Sequence, residues 1–275
     1  MKKWVNEEKK KEYIQAVCKI ISNLQRDDTA PHLTARINRL YQETFHERKD
    51  YSGQKRNYNR LLLEIEEEIY ERVKEEGDSL LLALKLSRAG NYIDYGALAE
   101  VEEDKLKSLI READEQKIEE EEYRAFRNDL ERAGEFVLLA DNAGEIVLDK
   151  ILIRILREEY PKLRISVVVR GEETINDATL KDAKEIGMEA YARVIGNGTD
   201  IPGTELDQIS EEARERIEKA DLILSKGQGN FESIYGKGFN IYYAFLCKCQ
   251  LFMERFQMRM FEGIFINEKN IKFRK

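Results

Sequence analysis

Apolar positions along the chain follow two different periods, and the change falls near residue 135. Before it, they recur at helical spacing. Tyr13, Val17, Ile20, Ile21 and Leu24 line one side of a first helix that ends near Asp27-Asp28. Pro31 opens a second helix, with Leu33, Ile37, Leu40 and Tyr41 as its expected buried stripe. Leu61, Leu62, Ile65, Ile69 and Val73 form one face of a helix over Lys55–Glu76. The glutamate-rich run Glu119–Arg124 reads as a solvated helix face.

Beyond residue 135, short apolar runs bounded by turn residues alternate with amphipathic stretches. Phe136–Ala140, Arg164–Val169 and Asp221–Ser225 read as parallel strands covered on both faces. Ile146–Glu159, Thr179–Ile186 and Ser210–Ala220 read as the helices between and before them, and Tyr242–Leu246 and Ile264–Asn267 as further strands. The expected fold class is α/β: an N-terminal all-helical cap domain over residues 1–134, then an open, largely parallel Rossmann-like sheet with flanking helices over 135–275. No internal repeat or low-complexity linker interrupts this pattern.

Composition narrows the function. The 275 residues include 54 acidic and 46 basic side chains, a net charge of −8, which argues against a nucleic-acid partner. No apolar run approaches the roughly 20 residues that span a bilayer, so no membrane partner is expected. The start, MKKWVNEEKKK, is basic but lacks the apolar stretch of a secretory signal. The cytoplasm is the expected location. Three cysteines, Cys18, Cys247 and Cys249, give no disulfide framework. Cys247 and Cys249 form a C-x-C pair with no second Cys or His pair nearby, and read as cysteines packed in a strand. Neither His32 nor His46 has a nucleophile with a recognisable local signature. Carboxylates, amides and lysines are left to carry any chemistry.

Those residues gather at strand ends, where open parallel sheets bind ligands. The first strand runs into Asp141-Asn142 and Gly144; the second into Arg170-Gly171 and then Asn176-Asp177; the third into Lys226, Gly227, Gly229 and Asn230. Each acidic cluster could instead cap the helix that follows it, and Lys226-Gly227 could be only a tight turn. Taken together at one sheet edge, two acids and an amide offer hard oxygen ligands for a divalent cation. The lysine, the arginine and the glycine-rich backbone offer an anion site beside them. Oxygen-ligated metal next to an anion cradle suits phosphoryl chemistry.

The segments DNAGEIVLDK (141–150), RGEETINDATLKDA (170–183) and DLILSKGQGNFES (221–233) resemble the damage-control phosphatase family, long known as domain of unknown function eighty-nine. The K-G-x-G-N form of the third motif looks like its archaeal and bacterial stand-alone subfamily. RAGNYIDYGAL (88–98) is similar to the family's A-G-N-x-I-D-x-G segment, KRNYNRLLLE (55–64) to its K-x-x-x-N stretch, and PGTEL (202–206) to the segment before the third motif. The resemblance implies a metal-dependent phosphatase acting on phosphate monoesters of small metabolites, such as sugar phosphates or damaged phosphometabolites. Metal-activated water is the expected nucleophile, since a carboxylate bound tightly to metal attacks poorly; covalent attack by an aspartate is the alternative. It implies metal binding by Asp141, Asn142 and Asp177, with manganese, cobalt, nickel or magnesium as the cation. Lys226, with Gly227, Gly229 and Asn230, is implied in holding the substrate phosphate, and Arg170 is a weaker candidate for the same task. Asn91 and Asp94 match the segment that closes over the site.

Two departures stand out. The subfamily's N-terminal C-x-x-C is absent, and its K-C-P appears as Lys248-Cys249-Gln250. Two other classes compete with the phosphatase. An S-adenosylmethionine-dependent carboxyl methyltransferase is disfavoured because no glycine-rich loop of the usual kind follows the first strand. A non-catalytic metal- or phosphometabolite-binding protein predicts ester binding without turnover.

Overall fold

The computed structural model describes residues 7–25, 27–91, 113 and 116–273. The apolar runs after residue 135 pair into a six-stranded sheet. Its strands are β1 (Glu135–Leu139), β2 (Arg164–Val169), β3 (Arg193–Gly196), β4 (Leu222–Lys226), β5 (Ile241–Leu246) and β6 (Gly263–Asn267). The order is β3-β2-β1-β4-β5-β6, parallel throughout except for β6, which runs antiparallel to β5. In register, Leu138 stands between Val167 and Leu224, all three fully buried. Such two-sided burial is why these strands read as continuous apolar runs. β3 lies outside the sequence reading: with only Val194 and Ile195 between Arg193 and Gly196, it is too short to show a run.

The helices of the N-terminal part are α1 (Glu7–Ser22), α2 (Ala30–Phe45), α3 (Ser52–Leu63), α4 (Glu66–Glu75), α5 (Ser79–Gly90) and α6 (Glu120–Arg132). Those of the sheet part are α7 (Glu145–Glu159), α8 (Leu180–Glu185), α9 (Glu211–Glu218), α10 (Gln228–Ile234) and α11 (Gln250–Phe256). The single helix expected over Lys55–Glu76 is two, α3 and α4, because Ile65 leaves the helical conformation (φ −116°, ψ 3°). Tyr58 and Leu62 before the break, and Ile69 and Val73 after it, are all buried.

The stripe expected on the first helix is the largest departure. No residue of α1 is buried, and Ile21 and Leu24 are exposed. α1 rests on α2, where the Tyr13 ring meets Tyr41 and Phe45. One neighbour cannot bury a whole face. The apolar residues of α3 to α6, by contrast, form one continuous cluster with α7 and one face of the sheet, from Leu62 and Leu84 through Ile151 to Leu138. Cys247 is buried one residue beyond β5, whereas Cys249 is exposed. Among the described residues no helix is long and apolar enough to cross a membrane.

Candidate metal and phosphate site

The strand order reverses between β1 and β4, whose carboxyl ends lead into Asp141 and Gly227. A crevice at such a switch point is where open α/β sheets bind ligands. Backbone pairing brings the second motif to the first. Ala178 N–H donates to Asp141 O (2.7 Å), Ala143 N–H donates to Asn176 O (2.9 Å), and Asn142 and Asp177 form an antiparallel bridge. The acids therefore converge through main-chain geometry, before any side chain is considered.

The structure removes the capping alternative for both motifs. The N-cap of α7 is Gly144, without a side-chain cap, and its N–H donates to Asn59 Oδ1 at 2.6 Å. The N-cap of α8 is Thr179, whose N–H is accepted by Asp182 Oδ2 at 2.9 Å. Asp141, Asn142, Asn176 and Asp177 are thus spared for a pocket of about 150 Å³, which they line with Ile175, Pro202, Gln228, Gly229 and Lys248.

Arg170 holds the acids in place. Its buried guanidinium donates from Nε to Asp177 Oδ2 (2.6 Å) and from Nη1 to Gly203 O (2.9 Å) and Asn230 Oδ1 (3.0 Å). Its Nη2 lies 3.8 Å from Asp141 Oδ1 and has no hydrogen-bond partner among the described residues. Asn91, at the end of α5, donates from Nδ2 to Asp141 Oδ2 (2.9 Å) and Glu145 Oε2 (3.0 Å). Asn142 Nδ2 donates to the same two oxygens, at 2.7 and 3.0 Å. This fixes the amide orientation and turns the Asn142 oxygen away from the two acids. Gly90 makes the reach of Asn91 possible: a Cβ there would lie 3.3 Å from the Glu145 Cα.

Lys226 sits elsewhere. Its ammonium is fully buried, donating to Glu145 Oε1 (2.7 Å), Asp149 Oδ1 (2.6 Å) and Ser87 O (2.8 Å). Three acceptors match its three protons, so no proton is left for a phosphate. Burial lowers the affinity of this ammonium for its proton, but Asp149 and Glu145 more than offset that, and the net shift is upward. Asn230 is likewise buried, donating to Ala140 O and Lys226 O. Gly227, at φ +78°, packs so close that a Cβ would lie 2.2 Å from the Asp141 carboxyl. Of the predicted anion-binding group, only Gly229 lines the pocket. Asp94 lies outside the described residues.

Residues 1–262 match the damage-control phosphatase ARMT1-like domain. The chain belongs to this family. An uncharacterized protein of Methanocaldococcus jannaschii is 30% identical over 246 residues, covering 86% of this chain and 80% of the relative. A damage-control phosphatase of Archaeoglobus fulgidus is 31% identical over 219 residues (74% and 70%), and one of Pyrococcus horikoshii is 36% identical over 157 (56% and 52%). The crystal structure of a DUF89 family protein from Pyrococcus horikoshii superposes with a TM-score of 0.80 at 23% identity, covering 96% of this chain and 91% of that one. The damage-control phosphatase fold is therefore that of this chain.

Several site residues of this family member escape a reading of strand ends. Lys248 and Gln228 line the pocket, and Lys248 N–H donates to Gln228 Oε1 at 3.1 Å. The K-C-Q segment carries this lysine, but nothing in the sequence aims it at the first motif. Glu145 and Asp149 had a signal: two acids one helical turn apart, flanking the apolar Ile146-Val147-Leu148 run, and both fully buried. The K-x-x-x-N stretch also gains roles. Lys55 bonds Asp182 and Glu173, each at 2.7 Å, while Asn59 takes the Gly144 N–H.

Among the described residues no three His, Cys, Asp or Glu side chains gather as a ready-made metal cluster. The candidate donors are instead two carboxylates and one carboxamide, of Asp141, Asp177 and Asn142, which line one pocket. Hard divalent cations that keep several waters or take substrate oxygens accept such a set.

Proposed function

We propose that this chain is a metal-dependent phosphomonoester hydrolase, with Asp141, Asn142 and Asp177 holding the cation and residues 1–134 acting as a helical cap over the 135–275 catalytic part. The observation that carries this reading is the pairing of the 141–143 and 176–178 segments, which sets both acids and the Asn142 amide on one pocket. Family membership supports hydrolysis of phosphate esters as the reaction. A bound divalent cation supplies charge neutralisation at the phosphoryl oxygens and a lower pKa for a bound water.

The protein's own residues do the rest. Arg170 keeps Asp177 oriented and offsets the charge of the acid pair. Glu145, which also accepts from Asn91, takes the Asn142 Nδ2 hydrogen bond and so leaves the Asn142 oxygen for the cation. Lys248 and Gly229 line the same pocket, which supports assigning the phosphate oxygens to them. Lys226 acts through Glu145 rather than on the substrate. A small alcohol phosphate, sugar-like or a damaged metabolite, is the substrate class, and water is the nucleophile.

Replacing Asp141 by Ala tests this. With Mn²⁺, Co²⁺, Ni²⁺ or Mg²⁺ supplied in turn, hydrolysis of a generic aryl phosphate should fall by at least about 10²–10³-fold, with the far-ultraviolet spectrum unchanged. Undiminished turnover would remove the core of the proposal.

A further inference from the structure

Three consecutive residues of the third motif meet three different walls of the pocket at the acid pair. Gly227, at φ +78°, lies against Asp141, whose carboxyl would be 2.2 Å from a Cβ at that position. Gly229 lies against Pro202, whose carbonyl oxygen would be 2.1 Å from a Cβ. Neither position has room for a side chain, and backbone packed this closely has little freedom to shift. Gln228, between them, starts from a fixed point and reaches the third wall with its side chain. Its Oε1 accepts the Lys248 N–H at 3.1 Å, and its Nε2 points to Cys249 Sγ at 3.8 Å.

What Gln228 holds is the turn between β5 and α11. Because β4 and β5 are parallel neighbours, the loops that leave their carboxyl ends lie at the same edge of the sheet. Cys247 is tied down on one side: its N–H donates to Glu262 O (3.0 Å) and its carbonyl accepts the Phe261 N–H (2.7 Å). Cys249 is tied down on the other, as the N-cap of α11, where its carbonyl accepts the Met253 N–H at 3.1 Å. Lys248 stands between these anchors, beyond the end of the β5 ladder, and the Gln228 oxygen takes its N–H.

The root of Lys248 matters because of the charge it carries. Among the described residues that line the pocket, Lys248 is the sole cation, beside the carboxylates of Asp141 and Asp177. Lys226 is sealed by its three acceptors, and Arg170 is buried against Asp177, Gly203 and Asn230. A lysine is a point charge on a flexible four-carbon stem, and a displacement of about 1 Å at a reacting centre can cost on the order of 10²-fold in rate. Fixing the backbone from which the stem starts removes part of that freedom.

We infer that Gln228 is the positioning residue for Lys248, clasping its backbone so that the ammonium addresses an anion in the pocket. Gln228 acts through Lys248 and not on the metal ligands. This rests on the reading of Lys248 as a phosphate-binding group, and adds to it the residue that sets where that group stands.

The test is a double-mutant cycle on the full chain: Gln228→Met, Lys248→Met and the two together. Inorganic phosphate is the calorimetric probe, in the presence of Mn²⁺, and an aryl phosphate reports turnover. Gln228→Met keeps the length of the side chain and removes the acceptor; Lys248→Met removes the ammonium and keeps the N–H that Gln228 holds. Lys248→Met should weaken phosphate binding by about tenfold or more, and Gln228→Met by roughly threefold to tenfold. The double variant should bind phosphate within about twofold of Lys248→Met alone, because no ammonium is left to position. Mn²⁺ affinity should fall by no more than about twofold in any variant, whereas a general loosening of the pocket would lower it further. Losses that multiply in the double variant, a parallel loss of Mn²⁺ affinity, or unchanged phosphate binding in Gln228→Met would overturn the assignment. If phosphate binding follows the cycle but no aryl phosphate is hydrolysed, the clasp stands and the phosphatase reading falls. If the wild type binds no phosphate, both fall.

Discussion

Two ionic clusters sit near the same sheet edge, and they differ in what they have been left able to do. Around Lys226, the cluster is closed: the lysine, Glu145 and Asp149 are fully buried. Around Arg170, the cluster is open: Asp141 keeps part of its side chain exposed, Arg170 Nη2 has no partner among the described residues, and both acids line a pocket. Glu145 joins the two, taking the Lys226 ammonium on one oxygen and the Asn91 and Asn142 amides on the other. In the closed cluster all three ammonium protons are taken by the protein itself, although Asp149 Oδ2 has no partner among the described residues, and the bonds to Lys226 hold its neighbours rigid. An open one keeps oxygens for a ligand. The lysine that the motif offers to a substrate is, in the fold, bonded to Glu145, whose other oxygen takes the Asn142 amide beside the pocket.

The sharpest way to break this comparison is to remove the closed cluster's cation. Lys226→Met leaves two carboxylates without their buried counter-charge and should cost about 3–5 kcal/mol of stability. Urea denaturation should show this loss undiminished by added metal, whereas Asp141→Ala, at a site open to water, should lose activity with far less effect on the midpoint. Equal stability losses would erase the distinction between the clusters.

Next in size is Gly227→Ala. The added methyl meets the Asp141 carboxyl and a positive φ at once, with a backbone penalty of about 1–3 kcal/mol. Calorimetry should record metal affinity lower by roughly tenfold, equivalent to about 1.4 kcal/mol. Unchanged affinity would mean that the acid's position is not set by this loop.

The smallest effect is in pH dependence. Burial, opposed by Lys226 and reinforced by Glu145, raises the Asp149 carboxyl from 3.8 to about 6. A raised carboxyl binds its proton more tightly in the folded state than in the unfolded one. Its contribution to stability is therefore complete below the unfolded value and lost as pH rises through the folded one. Wild-type stability should decline between about pH 4 and 6 relative to Asp149→Asn. Parallel profiles for the two proteins would place the titration elsewhere.

Much of the fold was legible because its pattern is local. A strand buried on both faces must be apolar along its length, so β1, β2 and β4 could be read to within a residue. β3 was not, since four residues carry too little pattern. The α1 stripe misled because periodicity reports which side is apolar, not how many neighbours will cover it. At the site, strand ends and family resemblance pointed to Asp141, Asn142 and Asp177, and the fold sets all three on one pocket. The direction of Lys226 was not legible because it depends on two acids in α7, and that of Lys248 because its approach to the pocket depends on how β5 follows β4.

By itself, then, the sequence determined which stretches become strands and helices, the family, and which residue types stand at the strand ends. Those follow from near-neighbour spacing and side-chain chemistry. Only the tertiary structure decided which charges are sealed and which line a pocket. A carboxylate or ammonium in water and one buried among partners are the same residue in sequence. Their difference lies in desolvation and in contacts between segments, such as Ser87, Glu145 and Lys226, that are far apart along the chain.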